Sequence, residues 1–132
     1  GVPRFGADFD DQTYPQEASL ETTAVSFDKG CYLGQEVVCM LEMRGHVKRK
    51  LVSVVIDAAE PPPAGADVHG QGGASAAGND GAGEVIGKVT SAAASPGLGK
   101  IVGLAMMKRA HSVPGTRITV AGASAKVVDR PA

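Results

Sequence analysis

Two hydrophobic periods divide this chain. Leu33, Val37, Met40 and Leu41 recur at spacings of three and four, which predicts one short amphipathic helix over residues 35–44, ended by Gly45. Glu36 near its start and Arg44 at its end carry the signs that the helix dipole favours. Beyond His46 the pattern turns β-branched. Residues 47–57 predict a long strand, bounded by Ala58 and the prolines 61–63, and Val68 marks a short second one. Further strands are expected over 84–91, 100–108, 117–120 and 125–128, with turns at Pro96-Gly97, at Pro114-Gly115 and over 121–124. Met106 and Met107 read as core filler. About six short strands that hide their edges by closing describe a mainly β fold, a small antiparallel barrel of Greek-key type. A parallel sheet is excluded because the connections after residue 84 are too short for crossover helices.

The remaining stretches are not strand or helix. Residues 70–83 hold nothing larger than Gln and predict a mobile hairpin loop. Residues 1–21 alternate Asp8, Asp10 and Asp11 with Pro3 and Pro15, too polar to bury themselves, and read as an extended strap lying across another surface. The expected division is therefore 1–45, the strap with its turn and helix, and 46–132, the barrel.

Composition narrows the function classes. A chain of 132 residues with 43% hydrophobic content supports one modest core. Thirteen basic against 14 acidic residues give a net charge of -1, which disfavours nucleic acid as main partner, because phosphate binding needs a basic surface. No run approaches the roughly 20 apolar residues of a membrane helix, and the first ten residues lack signal-peptide order. The expectation is a protein with no membrane partner, cytoplasmic, or mitochondrial or plastid if eukaryotic. Cys31 and Cys39 are too few for a disulfide scaffold or a cysteine-only zinc site and read as free thiols.

The stretch 29–36 carries the most chemistry. Cys31 stands two residues after Lys29 and just before a helix start, and both features favour thiolate over thiol. Gly30 and Gly34 open the backbone around the sulfur, so Cys31 is the expected functional thiol and Lys29 its electrostatic support. Cys39 belongs on the apolar side of the helix. His46, His69 and His111 lack metal-ligand spacing, and Lys48, Arg49 and Lys50 read as a solvated basic face. No phosphate loop, nucleophile elbow or paired-carboxylate site is present.

The string Phe27-Asp28-Lys29-Gly30-Cys31-Tyr32-Leu33-Gly34-Gln35-Glu36 resembles the K-G-C-[FY]-x-G-Q-E signature of the YgfZ family, folate-binding relatives of the glycine-cleavage T-protein that support iron–sulfur proteins. Its signature-turn positions here are Gly30, Tyr32, Gly34, Gln35 and Glu36. The lead-in over residues 1–18 and the string Gly87-Lys88-Val89-Thr90-Ser91 are similar to the strap and a barrel strand of both families. The resemblance implies tetrahydrofolate as cofactor, bound mostly by residues upstream of Gly1. It also implies iron–sulfur proteins or cluster carriers as partners, and a chain that forms the C-terminal part of a longer protein. Cys31 argues for YgfZ over the aminomethyltransferase, whereas Met40 departs from the arginine common in YgfZ members. One cysteine cannot hold a cluster alone, so any metal at Cys31 would be shared with a partner, with no stable metal site in this chain. An aminomethyltransferase and a non-catalytic interaction barrel are the rival readings.

Overall fold

The computed structural model describes residues 2–70 and 83–129. Six strands follow two helices: α1 Glu21–Ala24, α2 Gln35–Met43, β1 Arg49–Ile56, β2 Asp67–Gly70, β3 Val85–Ser95, β4 Lys100–Lys108, β5 Arg117–Val120 and β6 Ala123–Val128, with a 3-10 turn over Arg109–His111. The strands close into a barrel in the order β1-β4-β3-β2-β5-β6, and every pairing is antiparallel. Hairpins join β2 to β3 and β3 to β4, and β1 returns beside β4, which is the Greek-key connection. β1 then bonds to β6 on its other side, so closure leaves no free edge among the described strands.

Alternation along the strands fills the interior. Val52, Val54 and Ile56 of β1 point inward, and Ile86, Met107 and Ile118 meet them from β3, β4 and β5. Ile56, Ile118 and Met107 are fully buried. Met106, one residue off that period, faces out and is only half-buried, so only one of the two methionines fills the core. Register shifts at Val68/His69 and Val89/Ser91 mark bulges, which sharpen the coil that so small a barrel needs.

Several boundaries differ from the pattern-based expectation. β1 starts at Arg49, two residues late, and β3 runs on through three alanines to Ser95 because β4 supplies partners as far as Lys100. The last hairpin turns on Ala121 and Gly122 alone, at φ of 48° and 80°. Two consecutive positive φ values give the twist that a two-residue hairpin needs, so β6 begins at Ala123. The one-turn helix α1 has no counterpart in the hydrophobic pattern. The predicted loop over 70–83 lies outside the described residues except at its ends, where the Gly70 N–H donates to the Glu84 carbonyl at 3.1 Å and His69 Nδ1 lies 2.7 Å from the Gly83 carbonyl oxygen.

The strap is turn-rich rather than extended, and it lies across this chain's own barrel. The Leu51 N–H donates to the Glu17 carbonyl at 2.6 Å, and Ser19 Oγ donates to the Leu51 carbonyl at 2.9 Å. Arg49 pairs with Glu17 at 3.0 Å and Lys50 with Glu21 at 3.2 Å. Two members of the expected solvated basic run therefore clamp the strap. No helix among the described residues is long and apolar enough to cross a membrane.

Candidate functional site

Residues 29–36 form a braced turn that leads into α2. Gly34 is the N-cap at φ 85°, a left-handed conformation that strains any residue with a Cβ, which explains glycine at this point of the signature. Gln35 locks the turn from both sides: its N–H donates to the Tyr32 carbonyl at 3.3 Å, and its Oε1 accepts from the Tyr32 N–H at 3.2 Å. The Lys29 ammonium sits 4.7 Å from the centre of the Tyr32 ring, a cation–π contact. Glu36 lies in the first turn of α2, where its charge meets the positive end of the dipole. Cys31 is exposed, and a Cβ on neighbouring Gly30 would meet nothing within 4 Å. The turn thus fixes its backbone through Gly34 and Gln35 and leaves the sulfur open.

Cys31 stands four residues before Gln35, where the helix starts as the pattern predicts, and the Lys29 contact within the turn is to the Tyr32 ring. The apolar stripe of α2 is real as a pattern yet only partly covered: the helix has no buried residue, Leu33 and Met43 are fully or largely exposed, and Val38, Cys39 and Leu41 are half-buried. A link from the strap reaches the helix, where Gln16 Nε2 donates to the Val38 carbonyl at 2.9 Å. Two buried polar atoms of this region, Tyr32 Oη and Gln16 Oε1, have no hydrogen-bond partner.

Composition and motif reading missed Asp8. Its buried carboxylate accepts from the Arg4 N–H at 2.9 Å and from the Thr90 and Ser91 hydroxyls at 2.6 Å each, which latches the strap onto β3. Burial alone would raise the Asp8 pKa, but the Ser91 and Thr90 hydroxyls, the Arg4 N–H and the Arg4 charge outweigh it and hold the carboxyl below its ordinary value. The partners lie 82 and 83 positions away, so only the fold could reveal the pair. The Thr90-Ser91 string has a structural reason in this latch.

No group of three or more His, Cys, Asp or Glu side chains among the described residues is placed to hold a metal ion. Two clefts on the barrel, one bordered by Val2, Arg4 and Leu104 and one by Ser19, Glu21 and Arg109, are not lined by residues 29–36.

A closed Greek-key barrel with a strap and a cysteine-bearing turn defines a class, an all-β barrel domain preceded by a turn-rich strap and a short helix. Residues 49–132 match the glycine cleavage T-protein C-terminal barrel domain, and the chain belongs to that family. It is 42% identical over 59 residues to the tRNA-modifying protein YgfZ of Sodalis glossinidius (strain morsitans), covering 44% of this chain and 18% of that protein. It is 30% identical over 120 residues to an aminomethyltransferase of Halothermothrix orenii, covering 91% of this chain and 30% of the relative. The fold matches that of the glycine cleavage system aminomethyltransferase T from Bartonella henselae with a TM-score of 0.75 at 23% identity, over 98% of this chain and 34% of that one. The chain thus spans less than a third of the length of these curated relatives.

Proposed function

We propose that this chain is the C-terminal part of a tetrahydrofolate-binding accessory protein that supports assembly or repair of iron–sulfur proteins through Cys31. The observation that carries the reading is the open thiol on a turn whose other signature side chains serve the structure. Gly34 caps the helix, Gln35 braces the turn and Tyr32 seats Lys29. Cys31 does none of this. In this reading the sulfur is one ligand to a cluster in transit, with the remaining ligands supplied by the client protein or a small thiol. Residues 2–43 expose Leu33, Met40 and Met43, and the reading has a folate-binding region upstream cover that face and complete the pocket, with Tyr32 Oη turned to ligand or neighbour.

A second reading, one-carbon transfer by an aminomethyltransferase, draws support from the longer-covering relative. The discriminating experiment is Cys31→Ser in the longer protein, read by activity of an iron–sulfur client enzyme in cells, with folate affinity and melting temperature as controls. A serine hydroxyl keeps the volume and is a poor ligand for soft metal. Client activity should be lost while stability moves by less than about 1 kcal/mol. Wild-type client activity contradicts the proposal, and retained glycine-cleavage activity in the same variant favours the second reading. Loss accompanied by unfolding makes Cys31 structural and also contradicts it.

A further inference from the structure

A recess on the outer face of the barrel lies apart from the signature turn, and none of residues 29–36 lines it. Strand register sets outward-facing side chains in two rows across β1, β4 and β3: Ser53, Leu104 and Ser91 in one, Val55, Val102 and Ala93 in the next. Ser53 and Ser91 flank Leu104, and Ala93 flanks Val102 on the β3 side, which leaves a hollow over Leu104 and Val102. Val2 and Arg4 of the strap border it, with Leu98 from the β3–β4 hairpin, and its volume is about 410 Å³.

Three features point to a small ligand. The volume falls in the range of small-molecule sites. Ser53 is 7% exposed, and its Oγ is buried with no hydrogen-bond partner. A buried hydroxyl without a partner costs stability that a ligand atom would recover. Ser91 Oγ, by contrast, is already given to Asp8. Arg4 is the one charged residue lining the hollow, and its guanidinium makes no salt bridge within 4 Å among the described residues. The nearby Asp8 carboxylate is occupied by three hydrogen bonds.

We propose that this hollow binds a small amphipathic carboxylate: an apolar body over Leu104 and Val102, a polar atom on it bonded to Ser53 Oγ, and the carboxylate paired with Arg4. The site goes beyond the thiol-based reading and does not depend on it.

The test is a titration of the 132-residue chain with 2-naphthoate, followed by amide NMR shifts. Saturable shifts are expected at Ser53, Ala93 and Leu104. Ala93→Leu, a substitution at an exposed position that fills the hollow, should weaken binding about tenfold or more with the melting temperature unchanged. Arg4→Gln should weaken 2-naphthoate and leave the uncharged 2-naphthol unaffected. No saturable shift below millimolar probe, shifts confined to α2, or wild-type affinity in both variants would overturn the proposal. So would probe-free shifts at the same amides that grow with protein concentration, because the hollow would then be a contact between copies.

Discussion

The barrel and the segment before it solve the same problem in opposite ways. In the barrel, closure pairs every strand on both sides and alternation hides Ile56, Ile86, Met107 and Ile118 from water. In residues 2–43 many large apolar side chains stand outside: eight of the exposed large apolar residues are here and three in the rest of the described chain. The nine-residue helix α2 buries none of its residues, and a helix of that length gains little from its own backbone bonds. What holds the segment is polar: the Asp8 latch, the Glu17 and Glu21 clamps, and the Gln16 link. Cys31 is exposed on this segment, so under the proposed function scaffold and chemistry are separated along the chain.

The strongest way to break this contrast is in the barrel core. Ile118→Ala leaves a cavity among side chains that cannot relax far and should cost about 2–5 kcal/mol in urea unfolding. A loss under 1 kcal/mol would mean that the core is not what holds the fold.

Next comes the latch. Asp8→Ala strands the Ser91 hydroxyl and the Arg4 N–H and should cost about 1–3 kcal/mol, with faster amide exchange in the strap than in β4. Because the folded pKa of Asp8 is depressed, its contribution is fully present above the unfolded value near 4 and fades as pH falls through the lower folded value. The stability difference between wild type and Asp8→Ala should therefore be constant near neutral pH and shrink in acid. A difference that grows in acid would contradict the hydrogen-bonded carboxylate.

The smallest effect sharpens the comparison from the other side. Leu33→Gln and Met40→Gln should each change the stability of this chain by no more than about 0.5 kcal/mol, since neither side chain is buried. A cost above 1 kcal/mol in calorimetry would show α2 packed.

The barrel was readable because β-branched runs punctuated by Gly and Pro have few other uses. β4 and β5 coincide with the ranges that the pattern predicts, 100–108 and 117–120. What failed did so for physical reasons. The end of β3 is alanine-rich and has weak strand propensity of its own, so pairing with β4 decides it. The turn at Ala121-Gly122 needs a positive φ from an alanine, which no local rule favours. For α2 the period correctly located a helix, but period cannot say what covers its apolar face. The site divides likewise: Gly34, Gln35 and Cys31 stood out as a local motif, whereas Asp8 acquires its role only when β3 is brought beside the strap. Cys39 lies within α2 and is half-buried, in a helix with no fully buried residue.

The most direct test of the separation between scaffold and chemistry is the rate at which each thiol of the native chain reacts with iodoacetamide at neutral pH, read by mass spectrometry. Cys31 is exposed and Cys39 half-buried, so Cys31 should be modified first, and the singly modified chain should keep the melting temperature of the unmodified one. Equal rates, a faster Cys39, or a barrel that melts early once Cys31 is alkylated would show that the thiol belongs to the structure and not to its chemistry.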